Sequence, residues 1–511
     1  MKLRICLIFI ISCGYFFSHS QNIDTSIIRK IKNESTQFNP YNQLVRFCMI
    51  AGSRLNGSDG YDNAVRILSD SLKKYGFSNI HTETFNTNFK NWNLKDFKAN
   101  IITPEFFPLI AQPKAYTCGT NGTLKSELVF LGTNKMGKIH EFSGKLKGKT
   151  VLMDHLLPSE IIYEPLVTRL HDTTLQRISS KIIPTSKEVE KRKEEQKQFY
   201  ERLKKYFSHQ SEIIEFLENE GVAAIIGGGQ SPYGMMQVMN AMTSKKPIDP
   251  FDAFAFASIF ENTVKIPQLV VAEDYYHSLA SALNNGQKIE LELLIHVEEK
   301  EPRLGYSLFA EIPGNDLKNE IVLIGAHLDA HTAGTGAADN MVGIVTCIEA
   351  LRILQKSGYM PKRTIRVALW GGEEMGLLGS AEYAKSHFIK NSKEKLYAYF
   401  NTDYGAGAFR GIFAQESNTA YNIFKEWVKY IDELKFQTIS PDYTGDSDHI
   451  SFSDNGLPGF QFMPDPLDYM KVFHSNLDIV ERIPPEDVRF NAMIMAIMVW
   501  LSSETETYFK N

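Results

Sequence analysis

The sequence has few cysteines, and they stand far apart. The 511 residues include five cysteines. Those beyond the first 20 residues are Cys48, Cys118 and Cys347. This spacing fits neither a disulfide framework nor a zinc ribbon, both of which need closely paired cysteines. Cys347 stands in an apolar, helix-like stretch, where we expect it to be part of the core.

Basic residues are not in surplus either. The chain has 55 Lys and Arg against 60 Asp and Glu, which gives a formal net charge of −5. Proteins that bind nucleic acids usually carry a basic patch or stripe. We therefore expect no nucleic-acid partner.

Two common hydrolase motifs are missing from the sequence. The zinc-binding pattern H-E-x-x-H does not occur, because His140 and Glu141 are followed by Gly144 where the second histidine would have to stand. The nucleophile elbow G-x-S-x-G does not occur either. The absence of these motifs excludes a peptidase that binds one zinc ion through an H-E-x-x-H helix and a serine hydrolase with a G-x-S-x-G elbow.

The longest apolar run near the start of the chain is too short to span a membrane. "ICLIFIISCGYFF" at 5–17 falls well below the roughly 20 residues that a transmembrane helix needs. Lys2 and Arg4 precede this run and small residues follow it, a pattern that predicts an export signal over 1–20. We expect a secreted or periplasmic protein without a stable membrane span. Lipid attachment at Cys13 is the less favoured alternative.

The length of the chain predicts more than one domain. Short β-like runs dominate 116–299, whereas long apolar runs alternate with helix-like segments from about 305 onwards. The alternation predicts an α/β fold with a mixed, largely parallel sheet flanked by helices. We expect this α/β domain to comprise 21–115 and 300–511, with 116–299 inserted into it as a β-rich domain. The densely charged segment 186–207 should be a solvated helix.

Imidazoles and carboxylates follow the buried strand-like runs. "IVLIGA" leads to His327 and Asp329, "RVALWGG" leads to Glu373 and Glu374, and "YAYFNT" leads to Asp403. In open α/β sheets, ligands bind outside the carboxyl ends of the strands. Each of these residues could instead be a helix cap or a charge at a helix N-terminus. Caps do not explain why every acidic segment follows a buried strand.

Asp339, in a glycine-rich loop, and His474 enlarge this set. Carboxylates clustered without Lys or Arg repel one another unless a cation lies between them. Six ligands suggest two metal ions about 3.5–4 Å apart, bridged by a carboxylate. Nitrogen and oxygen ligands without thiolate favour zinc, and manganese or cobalt would also fit. One carboxylate must stay free as the general base, but spacing alone does not say whether that is Glu373 or Glu374.

Six segments together resemble the successive blocks of the M28 family of di-zinc peptidases. They are "GAHLDA", "AADNMVG", "LWGGEEMGLLGS", "FNTDYG", "SDHISF" and "FHSNLD". The order of the blocks also matches, and the likeness covers roughly 305–505. The region 116–299 resembles a protease-associated (PA) domain, and the whole layout is similar to secreted members of the carboxypeptidase Q type.

The resemblance implies a role for each candidate residue. One zinc ion would be bound by His327 and Asp403, the other by Glu374 and His474, and both by the bridging Asp339. Glu373 would be the general base that passes a proton from the attacking water to the leaving amine. Asp329 would hydrogen-bond to the ring of His327 and fix its tautomer. His331 and His449 match no ligand position, and structural roles are expected for them.

The predicted function is that of a secreted zinc exopeptidase, with two zinc ions per chain, that hydrolyses terminal bonds of peptides or dipeptides. The sequence does not distinguish an aminopeptidase from a carboxypeptidase or dipeptidase. A homodimer is compatible with the resemblance. Two alternatives stay open, namely a non-catalytic binding protein on the same scaffold and a single-zinc glutaminyl cyclase of related fold.

Overall fold

The structure is a computed structural model of the chain. It describes residues 25–132, 136–153, 163, 165–229, 233–245, 263–390, 393–431 and 435–509. The predicted export signal over 1–20 lies outside these residues. Within these ranges, no helix combines the length and the apolar character that crossing a membrane requires.

Within the described ranges, fourteen strands form one sheet. They are β1 (Ser78–Thr103), β2 (Phe107–Pro108), β3 (Ala111–Pro113), β4 (Leu124–Phe130), β5 (Thr150–Leu152), β6 (Ala224–Gly228), β7 (Gln268–Val271), β8 (Glu290–Ile312), β9 (Leu317–His327), β10 (Arg363–Trp370), β11 (Lys395–Asn401), β12 (Phe409–Phe413), β13 (Thr438–Ser440) and β14 (Gly459–Pro464).

The helices flank this sheet. They are α1 (Ser26–Ser35), α2 (Pro40–Ala51), α3 (Asp59–Tyr75), α4 (Asp172–Ser179), α5 (Ser186–Asn219), α6 (Glu273–Asn284), α7 (Val342–Lys356), α8 (Leu378–Ala384), α9 (Asn418–Trp427), α10 (Ile450–Ser453), α11 (Tyr469–Val472) and α12 (Pro485–Glu504).

Two parallel parts of the sheet meet at the long strand β8. The strand order is β13-β12-β14-β11-β9-β10-β8-β4-β5-β6-β7-β3, and β1 pairs with β8 in an antiparallel ribbon. β14, β11, β9 and β10 are mutually parallel, and so are β4, β5, β6 and β7. The predicted mixed, largely parallel α/β sheet is confirmed. β8 runs across the expected boundary at 299/300 as one strand, and the division into domains stays a prediction.

The first of these parallel parts is buried on both faces, as its continuous apolar runs predict. Alternate residues of β9 point to opposite sides, so that Val322 and Ile324 join the core beneath α1, α2, α7 and α12, while Ile321 and Leu323 pack towards α8. A rigid, doubly covered sheet fixes the positions of its strand ends. Those ends carry the candidate site.

The charged segment predicted as a solvated helix is the start of α5. The helix begins with a capping box, in which the Thr185 side chain and the Glu188 carboxylate each bind the other's main-chain N–H. Its guanidinium at Arg192 forms a two-pronged ion pair with Glu416, with N–O distances of 2.9 and 3.0 Å. This contact ties the helix to the rest of the molecule.

A charged cluster connects β1 to the segment after α8, away from the candidate site. His387 Nε2 lies 2.8 Å from Glu83 Oε2, and its Nδ1 lies 3.6 Å from Glu394 Oε2. Glu394 in turn accepts two hydrogen bonds from Arg366. Hydrogen bonds to Glu394 and Glu83 raise the pKa of His387 to about 9.

This cluster predicts a pH-dependent contribution to stability. Because the folded pKa of His387 exceeds its unfolded value, the contribution is complete below about pH 6.5 and is lost as the pH rises through about 9. Because the His387 side chain is 29% exposed, we expect its contribution to the free energy of unfolding to be about 1–2 kcal/mol. In denaturant unfolding, the free energy of unfolding of His387→Gln should be lower than that of the wild type near pH 6, and the difference should shrink towards pH 9.5. The matched variant of the exposed His171, His171→Gln, should follow the wild type, and a pH-independent deficit in His387→Gln would contradict the assignment.

Candidate metal centre

The candidate site lies where three neighbouring parallel strands end. β9 lies between β11 and β10, and His327 at its end pairs in register with Trp370 at the end of β10. The chain then turns sharply through Gly371 and Gly372 into Glu373. A Cβ added to Gly371 would clash with the main-chain oxygen of Tyr306 and with the hydroxyl of Tyr61, so only glycine fits at this turn.

Asp339 lies between two histidines. Its Oδ1 is 2.9 Å from His327 Nε2, and its Oδ2 is 3.1 Å from His474 Nε2. All three side chains are buried or nearly so. Each carboxylate oxygen thus faces a different imidazole, as a ligand shared by two ions would.

Glu374 brings His474 together with a third imidazole, that of His331. Its Oε2 lies 2.9 Å from His474 Nε2 and 3.1 Å from His331 Nε2. Donor atoms of these three residues lie within 4.8 Å of one another, and so do those of His327, Asp339 and Glu374. The second oxygen of Glu374, Oε1, is buried without a hydrogen-bond partner among the described residues.

Asp403 completes the cluster from the end of β11. Its Oδ2 lies 3.7 Å from His327 Nε2 and accepts a 2.7 Å hydrogen bond from the Ser447 hydroxyl. Its Oδ1 accepts from the main-chain N–H of Tyr404 at 2.7 Å. Three strand ends and two loops therefore bring the five predicted ligands together.

The predicted contact between the Asp329 carboxylate and the His327 ring is wrong. His327 Nδ1 instead lies 3.0 Å from the main-chain oxygen of Asp329. The two carboxylate oxygens accept the main-chain N–H groups of Glu373 and Glu374, both at 3.2 Å. The side chain points away from the ring because the turn after β10 leaves two N–H groups to be satisfied. Asp329 therefore holds both glutamates in place.

The pKa values of the adjacent Glu373 and Glu374 are shifted in opposite directions. Burial, together with repulsion from Asp403 and Glu374, raises the pKa of Glu373 well above its usual range despite attraction from His327. Burial opposes the ionisation of Glu374, but His331 and His474 hold its pKa well below the usual range. Such a divergence separates a proton-carrying group from an ionised one.

Asp339 stays ionised for a similar reason. Burial and the nearby Glu374 act to raise its pKa, yet hydrogen bonds from His327 and His474 bring it down to about 2. By contrast, burial raises the pKa of Asp448 to about 8. Both carboxylate oxygens of Asp448 are buried.

Two buried residues support the site from outside the ligand set, and sequence reasoning missed both. Arg54 is fully buried and donates to main-chain oxygens of the two loops, from Nε to Leu328 at 2.8 Å and from Nη2 to Gly336 at 2.9 Å. Asp478 accepts the main-chain N–H of Ala338 at 2.6 Å. It also accepts the N–H of Asp339 at 3.1 Å, so the candidate bridging residue is held through its backbone.

Asp478→Ala should weaken zinc binding by about 10–100-fold, the usual cost of losing a residue that orients a metal ligand. Asp478→Asn should cost less, because its carbonyl oxygen can still accept one of the two N–H groups. Zinc affinity measured by competition with a chelator checks this order. Equal affinity in the wild type and Asp478→Ala would contradict it.

The chemistry of the cluster fits bound metal. Among the described residues, no Lys or Arg nitrogen is in ion-pair contact with Asp339, Glu374 or Asp403, so only imidazoles oppose these buried carboxylates. The unpartnered oxygen of Glu374 is the kind of atom that a cation would satisfy. Nitrogen and oxygen donors without thiolate suit zinc.

Comparison with known proteins assigns this region to a family. Residues 307–499 match the model of Peptidase family M28. This part of the chain is an M28 peptidase domain. The match spans all five predicted ligands together with Glu373, and the predicted peptidase class is confirmed.

Individual relatives extend the likeness beyond this domain. The chain is 21% identical to carboxypeptidase Q of Bos taurus over 493 residues, which cover 96% of this chain and 90% of the relative. A peptidase M28 precursor from Shewanella amazonensis has a TM-score of 0.68 at 22% identity, covering 95% of this chain and 98% of that one. A zinc aminopeptidase from Bacillus subtilis has a TM-score of 0.54 at 17% identity, covering 90% and 93%. These structures share the fold with this chain.

Proposed function

We propose that this protein is an extracytoplasmic, zinc-dependent exopeptidase that uses two zinc ions to hydrolyse the terminal bond of peptides or dipeptides. The observation that carries the proposal is the position of Asp339, whose two oxygens lie 2.9 and 3.1 Å from His327 and His474. A single zinc ion needs only three or four ligands, and a carboxylate that faces a different imidazole with each oxygen is what a ligand shared by two ions would show. The extracytoplasmic location rests on the predicted signal over 1–20.

Each ion would have its own ligands. His327 and Asp403 would bind the first, Glu374 and His474 the second, and Asp339 both. His331 is a further candidate for the second ion, because its Nε2 lies 3.1 Å from Glu374 Oε2. The sequence offered only a weak signal for His331, namely its place four residues after His327 in the same loop.

Glu373 would move the proton. When bound, the zinc ions supply the Lewis acidity that polarises the scissile carbonyl and acidifies the attacking water. The Glu373 carboxylate takes a proton from that water and delivers it to the leaving amine. Asp329 keeps Glu373 in place through its main-chain N–H, so the base is held independently of its own carboxylate.

Cleavage at the amino terminus and cleavage at the carboxyl terminus are both compatible with the proposed site. The relatives named above include a carboxypeptidase and a zinc aminopeptidase. The proposed metal centre would bind the peptide carbonyl, and recognition of a charged terminus needs further groups around it. The predicted PA-like insert over 116–299 and the predicted homodimer also stay predictions.

The proposal is tested by adding zinc to the purified protein and assaying dipeptides, aminoacyl amides, and peptides blocked at one end. Cleavage that is lost only on blocking the amino end identifies an aminopeptidase, and loss on blocking the carboxyl end identifies a carboxypeptidase. A folded, zinc-containing protein that hydrolyses no member of the panel would contradict the proposal. Cyclisation of N-terminal glutamine with one zinc per chain would favour the cyclase alternative instead.

A further inference from the structure

A segment from far away in the chain lies against the last candidate ligand. We name Gly234–Met239 the methionine clasp. Its Val238 N–H donates to the main-chain oxygen of His474 at 2.9 Å, and its Met236 N–H donates to Asn476 Oδ1 at 2.8 Å. The Asn476 amide returns a 3.1 Å hydrogen bond to the oxygen of Gly234. The clasp lies outside the part of the chain that matches the M28 family model.

The backbone of His474 needs such support. Its φ angle is +57°, in the left-handed region that residues with a side chain rarely adopt. Strained backbone of this kind persists where the surrounding structure fixes it. The hydrogen bond from Val238 to His474 and the isolated β-bridge between Gln237 and Ser475 hold the backbone at this residue and the next.

The ring of His474 is held from its other side by a sulfur atom. Nε2 faces Asp339 and Glu374, whereas Nδ1 lies 3.3 Å from Met239 Sδ. A histidine that binds a metal through Nε2 carries its hydrogen on Nδ1, and a carboxylate, carbonyl or water usually accepts that hydrogen. The thioether is a much weaker acceptor. Met239 is about half exposed, so burial in a core does not explain its position.

We propose that Met239 is a positioning residue for the metal ligand His474. Its sulfur accepts the Nδ1 hydrogen and sets the orientation of the ring, while the rest of the methionine clasp fixes the backbone. A residue from the predicted insert thus completes a site whose ligands all belong to the M28 domain. The inference rests on the proposed metal-binding role of His474.

The test compares Met239→Leu with Met239→Gln. Leucine keeps an apolar side chain but has no acceptor, whereas the glutamine carbonyl can accept the Nδ1 hydrogen. We expect Met239→Leu to lower the affinity for one of the two zinc ions by about 10–100-fold, and Met239→Gln to restore it to within a few-fold of the wild type. Zinc affinity is measured by chelator competition, without reference to catalysis.

Met470→Leu is the matched control. Met470 is an exposed methionine in α11, four residues before His474, and its substitution should leave both affinities unchanged. Two outcomes would overturn the role of Met239 alone: wild-type affinity in Met239→Leu, or equal losses in the leucine and glutamine variants. A wild-type protein that is folded and binds no zinc would overturn both this inference and the proposed function.

Discussion

Glu373→Gln should lower kcat by about 10²–10⁴-fold while the zinc content stays that of the wild type. Glutamine has nearly the same size but cannot take up a proton, and a positioned general base contributes a factor of this order. The backbone at this position is held by Asp329 through the main-chain N–H, a contact that the substitution leaves intact. The measurement is steady-state kinetics and elemental analysis of the same preparation.

Two further variants, one at a proposed zinc ligand and one at an exposed glutamate, serve as comparisons for Glu373→Gln. Glu374→Gln should lose zinc as well as activity, because Glu374 lies against both His331 and His474. Glu382→Gln, in α8 and 35% exposed, should retain both. Activity within a few-fold of the wild type in Glu373→Gln, or loss of zinc in that variant, would show that the two adjacent glutamates have been assigned the wrong roles.

Asp339→Asn should reduce zinc binding at both positions, whereas the loss of any other ligand should affect one position first. Only one oxygen remains in the amide, so it cannot face both imidazoles as the carboxylate does. We expect the zinc content to fall from two per chain to less than one, and peptidase activity to be lost. Chelator competition combined with elemental analysis measures both positions.

The matched control for this substitution is Asp316→Asn. Asp316 is exposed and lies just before β9, at the end of the strand remote from His327. The Asp316→Asn variant should bind two zinc ions as the wild type does. If Asp339→Asn keeps two tightly bound ions, Asp339 is not the bridging residue and the assignment of the site must change.

The sequence allowed the sheet and the ligand set to be predicted for a definite physical reason. Apolar runs such as those of β9, β10 and β11 are strands buried on both faces, and parallel strands carry their ligands at their carboxyl ends. In the structure these three strands are neighbours, so that residues far apart in the chain meet at one edge. The family resemblance was needed to distinguish Glu373 from Glu374.

Contacts between loops could not be predicted in the same way. The side chain of Arg54 binds loops near 328 and 336, and Asp478 binds the backbone near 338, with no periodic pattern to announce either contact. Asp329 was expected at the His327 ring, but the two free N–H groups after β10 attract its carboxylate. Such preferences follow from tertiary packing, which local sequence does not encode.

The methionine clasp illustrates the same limit. A run of methionines in a sequence is compatible both with core packing and with an adaptable surface. Met236 is indeed buried, whereas Met239 is about half exposed and contacts a candidate metal ligand. Composition is compatible with both roles. Only the pairing with the segment near His474 shows which methionine packs in the core and which lies at the site.

The central claim is that two zinc ions per chain assemble the catalytic site. The most direct test removes metal from the folded protein and measures peptidase activity as zinc is added back. Activity should rise with zinc and reach its plateau at two equivalents per chain, whereas Asp339→Asn should bind less than one equivalent. A plateau at one equivalent, or a folded protein that binds two equivalents and hydrolyses no peptide, would contradict the account.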